Sequence, residues 1–210
     1  MIIFAICGKS AAGKDTLSNR VSAHLKIKRI VSYTTRPMRK GEVDGVDYHF
    51  ITPDLMDFHK REGETLNHTS YKIDQETIWE YAYLKKDVEE YKKCIMILNP
   101  DGLKAITEHY KDNKKVKIVK ILLDAPLEVR IDRSLRRNGS TEKTIIEIIR
   151  RGIADEEDFK DIEYDYIIDT SKSNAYKKLY GIIKRQLGNE LLKTTREMFR
   201  RDPKRFLGGR

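Results

Sequence analysis

Short apolar runs rich in β-branched residues alternate along this chain with amphipathic stretches of helical period, the pattern that parallel strands joined by crossover helices write into a sequence. The apolar runs fall at about 2–7, 28–33, 93–98, 115–123 and 164–169, and the helical stretches at about 14–25, 101–110, 126–137, 142–160 and 173–187. Ile2-Ile3-Phe4-Ala5-Ile6-Cys7 shows no polar alternation, so a strand covered on both faces is expected of it. Between 34 and 83 the texture changes to short alternating segments such as Tyr48-His49-Phe50-Ile51, a helix from Pro53 to Lys60, and polar turns, which reads as a small mixed subdomain inserted into the core. Arg136 to Thr141 joins two helical stretches with a turn and clustered positive charge, the makings of a flap over phosphates.

The first apolar run feeds directly into Gly8-Lys9-Ser10-Ala11-Ala12-Gly13-Lys14-Asp15-Thr16, the G-x-x-x-x-G-K loop that cradles phosphates between a strand and a helix. Its glycines let the backbone wrap so that N–H groups point at phosphate oxygens, and the Lys14 ammonium reaches the β and γ phosphates. The last position of the pattern calls for Ser or Thr, whose hydroxyl holds Mg²⁺, and here it is Asp15. A carboxylate can hold Mg²⁺ directly or through its waters, and Thr16 adds a hydroxyl beside it, so Asp15 and Thr16 are the candidate metal ligands. The reading is a nucleoside triphosphate site on an α/β fold of the P-loop NTPase type, a parallel sheet flanked by helices.

Composition narrows this further. A chain of 210 residues accommodates one well-buried α/β domain rather than two. Charged residues make up 36%, with a net charge of +9, which favours anionic partners; nucleotides qualify on the motif above, whereas nucleic acid would rest on charge alone. Cys7 and Cys94 sit inside apolar runs and read as packed thiols rather than a disulfide, which fits a reducing cytoplasm. The amino-terminal apolar run is too short to span a membrane or act as a signal peptide, so no membrane association is expected.

A second constellation follows the second run: Ser32-Tyr33-Thr34-Thr35-Arg36-Pro37-Met38-Arg39-Lys40-Gly41-Glu42-Val43-Asp44-Gly45-Val46-Asp47-Tyr48-His49-Phe50. Taken alone it is a basic surface loop. Beside a phosphate loop, two arginines with planar forks and a tyrosine hydroxyl become a second anion site, as a phosphoryl-transfer enzyme needs.

At these residues the sequence closely resembles the guanylate kinase family, and with the P-loop, the flap and the strand order the resemblance covers about 2–187. It implies a P-loop core, a nucleoside monophosphate (NMP) subdomain at about 34–83 and an arginine-bearing lid at about 136–150. Residues 188–210 then form a basic extension. It also implies transfer of the γ-phosphoryl group of ATP, with Mg²⁺, to the 5′-phosphate of a nucleoside monophosphate. By resemblance, Ser32 touches the base, while Arg36, Arg39, Tyr48 and Tyr81 hold the acceptor phosphate. Arg137 belongs to the lid, and Arg151 matches the arginine that follows it. The family's base-reading glutamate aligns with Asn67, and Ile97 and Asn99 replace the aspartates of its D-x-D-x-x-G element; Ala82 and Tyr83 replace its Gly-Ser/Thr. A longer segment between 69 and 80 would hand the base-reading role to Glu64 or Asp74 instead. The alternatives are a kinase for another (deoxy)nucleotide or phosphorylated acceptor, and a non-catalytic protein-binding module.

Overall fold

Nothing in β1 (Ile2–Cys7) is accessible to solvent beyond a few per cent, because this all-apolar strand lies at the centre of a parallel sheet with helices on both faces. The structure, a computed structural model, describes residues 1–201, with the side chains of Lys143 and of 193–201 left aside. After β1 come α1 (Lys14–Leu25), β2 (Lys28–Arg29), β3 (Tyr33–Thr34), β4 (His49–Phe50), α2 (Pro53–Arg61), β5 (Thr65–Lys72), β6 (Ile78–Leu84) and α3 (Lys85–Glu89). The chain continues with β7 (Lys93–Leu98), α4 (Pro100–His109), β8 (Lys117–Asp124), α5 (Leu127–Asn138), α6 (Glu142–Asp158), β9 (Tyr166–Asp169) and α7 (Ala175–Arg201).

The core sheet has the order β2-β7-β1-β8-β9, all parallel. Successive side chains of β1 go to opposite faces. Ile3, Ala5 and Cys7 pack with Leu103 and Ile106 of α4; Ile2, Phe4 and Ile6 pack with Val21 of α1 and Leu179 and Ile183 of α7. Each Ile, Leu, Val or Phe among them, fully buried, contributes about 1.5–3 kcal/mol. Chain connections depart to opposite sides of β1, so its carboxyl end, with those of β7 and β8, opens the crevice where α/β sheets take ligands.

A second sheet, β4-β3-β6-β5, stands beside that crevice, dominated by the antiparallel hairpin of β5 and β6. It changes one strand reading. The run at 28–33 is divided: Lys28 and Arg29 pair with β7, Ile30 N–H still reaches Ile95 O at 2.9 Å, and the chain then crosses so that Tyr33 and Thr34 pair with β4 and β6. One apolar run thus serves two sheets.

Helix boundaries differ in two places. Arg136 to Asn138 are the last turn of α5, so the link to α6 is only Gly139 to Thr141. Gly139 has φ 83°, and the Thr141 hydroxyl caps α6 by accepting the Thr144 N–H. Helix α7 runs to Arg201 instead of stopping near 187, because one glycine at 188 costs only about 1 kcal/mol against the helix formers around it. The basic end of the expected extension, 202–210, lies outside the described residues. Cys7 and Cys94 are buried and unpaired, and burial pushes both thiols up to about 12. No helix among the described residues is long and apolar enough to cross a membrane.

Candidate functional site

Gly8 closes β1 so tightly against β8 that a Cβ there would lie 2.3 Å from the Leu123 carbonyl oxygen. No side chain fits, and the chain turns immediately. Ala11 (φ 59°) and Gly13 (φ 84°) both take the left-handed conformation, which for alanine costs about 1–2 kcal/mol. The Ala11 carbonyl is held from behind by Arg133 Nη1 at 3.3 Å, and Arg133 is anchored on Thr170 at 3.1 and 2.8 Å. Ala12 is buried, and the loop runs into the first turn of α1.

Lys14 folds back over this loop, its ammonium bonding the carbonyls of Gly8 (2.6 Å) and Lys9 (3.0 Å). Burial lowers its pKa; the negative charges of Asp15 and Asp155 oppose that shift, and the positive charge of Arg137 adds to it. Arg137, exposed at the end of α5, therefore lies within electrostatic reach of the lysine. Asp15 and Thr16 are exposed in the first turn of α1. A single exposed carboxylate of this kind, with the Thr16 hydroxyl beside it, is an oxygen donor of the type Mg²⁺ takes. No group of three or more potential protein ligands for a metal occurs among the described residues.

Acidic side chains of α6 reach the loop. Asp155 Oδ2 accepts the Ser10 backbone N–H at 2.7 Å, and Glu156 takes Lys9 Nζ at 2.6 Å, with Asp124 at 3.5 Å. Buried Arg130 holds both acids, Asp155 at 3.3 Å and Glu156 through Nη2. A carboxylate oxygen of the protein thus sits at a backbone donor of the phosphate loop. Arg151 is not brought to the loop: it is exposed and bonded to Glu147 at 2.6 Å, one turn before Asp155.

The second anion site is built on Arg36, which is 3% exposed. Its fork grips Glu42 at 3.0 and 2.8 Å and the Pro37 carbonyl at 2.7 Å, and it lies over the rings of Tyr48 and Phe50 at 5.2 and 5.6 Å. Tyr48 and Tyr81 meet edge to face at 5.8 Å. Burial raises the Tyr48 phenol, and the next largest influence is the charge of Asp15. Arg39 shares the turn, its N–H bonded to Glu42 at 2.7 Å and its guanidinium exposed.

Ser32 lies just before β3, Asn67 stands in β5 opposite Tyr83, and Asn99 follows β7 as the cap of α4. The Tyr83 hydroxyl bridges the backbone of Ile97 at 2.9 and 3.2 Å. Glu64 and Asp74 are committed elsewhere: Glu64 bonds His59 at 2.5 Å, and Asp74 closes the hairpin turn by accepting the Glu76 and Thr77 N–H groups at 2.9 and 2.7 Å. Sequence reasoning missed Arg130, Arg133, Asp155 and Glu156. The spacing of Arg130, Arg133 and Arg137 marks one face of a helix and was the available signal for two of them.

The family model of guanylate kinase matches residues 2–186. A guanylate kinase of Blochmanniella floridana is 31% identical over 179 residues, covering 78% of this chain and 76% of that one. One of Maricaulis maris is 29% identical over 196 residues, covering 87% and 82%. A shorter match, to the guanylate kinase of Syntrophotalea carbinolica, is 46% identical over 63 residues, 30% of each chain. The crystal structure of guanylate kinase from Anaplasma phagocytophilum shares the fold, with a TM-score of 0.60 at 20% identity over 88% of this chain and 85% of that one.

Proposed function

The chain belongs to the guanylate kinase family, and on that premise we propose that it transfers the γ-phosphoryl group of ATP to the 5′-phosphate of a nucleoside monophosphate, GMP being the acceptor the family supports. The observation that carries the reading is the loop at the carboxyl end of β1, with Ala11 and Gly13 left-handed and the Lys14 ammonium folded over it, in a chain whose residues 2–186 match the family. Phosphoryl transfer requires little covalent chemistry from a protein; it requires two substrates in line and positive charge around the transferred group.

In this proposal the backbone from Gly8 to Thr16 and the Lys14 ammonium hold the triphosphate of ATP. Arg36, Tyr48 and Tyr81 fix the acceptor phosphate, and Arg39 reaches it from the exposed side of the same turn. Arg137 supplies charge at the loop, and Arg151 joins it after leaving Glu147. Asp15, with Thr16 beside it, would hold Mg²⁺, which would supply positive charge to the donor phosphates. No general base is needed, because a monophosphate oxygen is already a nucleophile. Closure of α5 and α6 over the cleft excludes water and so protects ATP from hydrolysis. A cytoplasmic setting, rich in ATP and reducing toward Cys7 and Cys94, suits this chemistry.

The test is a coupled assay with ATP–Mg²⁺ and a panel of ribo- and deoxynucleoside monophosphates. Lys14→Met should reduce turnover at least about a thousandfold. Its melting temperature should hold or rise, since burial of the ammonium is unfavourable to folding. Arg39→Ala should chiefly raise the acceptor KM. Turnover with no monophosphate, together with tight binding of a protein or polynucleotide, defeats the kinase reading.

A further inference from the structure

Tyr81 is the shared wall between the acceptor-phosphate site and what lies beyond it. Its ring meets Tyr48 on the phosphate side and Tyr71 on the other, with centroids 5.8 and 5.7 Å apart. Tyr71 is 46% exposed and accepts a hydrogen bond from Asn99 Nδ2 at 2.9 Å. Asn99 and Asn67 flank Gly102, where a Cβ would come within 2.9 Å of Asn99 Oδ1 and of Asn67 Nδ2. A nucleotide whose phosphate rests against Arg36, Tyr48 and Tyr81 therefore meets Tyr71 and two amides with its base.

Both amides are oriented by the backbone. Asn99 Oδ1 accepts the Gly102 N–H at 2.9 Å as the cap of α4, and Asn67 Oδ1 accepts the Tyr83 N–H at 3.0 Å. Turning either amide round would set N–H against N–H, so the orientation is fixed. What the two side chains have left to offer is NH₂. Tyr71, having accepted from Asn99, has its proton to give. Among the described residues no carboxylate bonds Asn67, Asn99 or Tyr71. Glu80 is taken by Lys60 and His68, and Asp101 and Asp158 act on Tyr71 only through their charge.

Resting on the phosphoryl-transfer reading for the place of the phosphate, we infer that this site reads its acceptor base through the O6 and N7 acceptors of a 6-oxopurine and does not read the 2-amino group of guanine. Guanine's N1–H and N2–H₂ are donors and meet no carboxylate on these three side chains, whose amide oxygens already accept backbone N–H groups, whereas O6 and N7 meet the amide and phenol donors. GMP and IMP differ only in that amine. AMP places an amine where O6 would be, donor against donor, and is rejected.

The experiment measures kcat/KM for GMP, IMP, AMP, CMP and UMP with ATP–Mg²⁺, and separately the calorimetric Kd of GMP and IMP. GMP and IMP should agree within about threefold, with AMP lower by about a hundredfold. Asn67→Asp keeps one oxygen for the Tyr83 N–H and presents the other as an acceptor, so it should favour GMP over IMP by about tenfold or more. Asp101→Asn should leave the ratio at the wild-type value. Wild-type preference for GMP over IMP beyond about tenfold overturns the inference. So do an unchanged ratio in Asn67→Asp, better use of CMP or UMP than of both purines, and binding of neither purine. Equal binding of GMP and IMP without turnover keeps this inference and defeats the kinase reading instead.

Discussion

Replacing Glu42 by alanine leaves Arg36 with its charge and without its counter-ion, in a place where only 3% of the residue is exposed. The pair makes two charged hydrogen bonds, at 3.0 and 2.8 Å, and stranding one partner of a buried pair costs about 3–5 kcal/mol. Two features favour the lower end. The Glu42 side chain is 20% exposed, so water gains some access, and the faces of Tyr48 and Phe50 still attract the guanidinium. A loss of about 3 kcal/mol lowers the melting temperature by about 6–12 °C in a chain of this size. Burial pushes the Glu42 carboxyl up, but the Arg36 fork and the Arg39 N–H more than reverse this and hold it below the usual carboxylate range. Its folded pKa lies below the unfolded one, so its contribution is complete above the unfolded value and disappears as pH falls through the folded one. The gap between wild type and variant, measured by thermal melts, should therefore close on acidification. A bound monophosphate can replace the missing carboxylate, so the acceptor nucleotide should raise the melting temperature more in Glu42→Ala than in wild type. A melting temperature within about 2 °C of wild type, or an equal shift with nucleotide, would refute the pairing of burial and phosphate binding at Arg36.

Gly8→Ala sets a methyl group against the Leu123 backbone; it should cost about 3 kcal/mol or more in a thermal melt, and a fall under about 1 kcal/mol would show that β1 and β8 can part there. Ala11→Gly relieves left-handed strain of about 1–2 kcal/mol against an entropic cost of about 0.5–1, so stability should hold or rise slightly, and a drop of several degrees refutes the strain. Arg133→Ala removes the brace behind Ala11 and should weaken ATP, measured as Kd, while sparing the acceptor KM; the reverse pattern places Arg133 wrongly.

The P-loop and the core strands were legible because their causes are local: an unbroken apolar run must be covered on both faces, and glycines at fixed offsets make the turn. A dense motif singled out Arg36 and Tyr48 as candidates, yet it did not reveal that Arg36 would be buried with Glu42. The acidic pair on α6 was not legible. Asp155 and Glu156 belong to no motif, and their engagement with Lys9, Ser10 and Arg130 depends on how α5 and α6 cross. Tyr83 stood out only as a bulky substitution; its hydroxyl bonds the backbone of a strand 14 residues away, a contact no periodicity encodes. The same holds for the two amide oxygens, whose backbone partners decide what the side chains can still recognise.

Because Asp155 already sits on the Ser10 N–H, a phosphate oxygen at that donor would exchange one anionic acceptor for another instead of filling a bare loop. The net gain at that N–H would then be smaller than at an unoccupied donor. Asp155 belongs to the helix that also carries Arg151, so a phosphate oxygen on that donor would compete with a side chain one turn from the arginine.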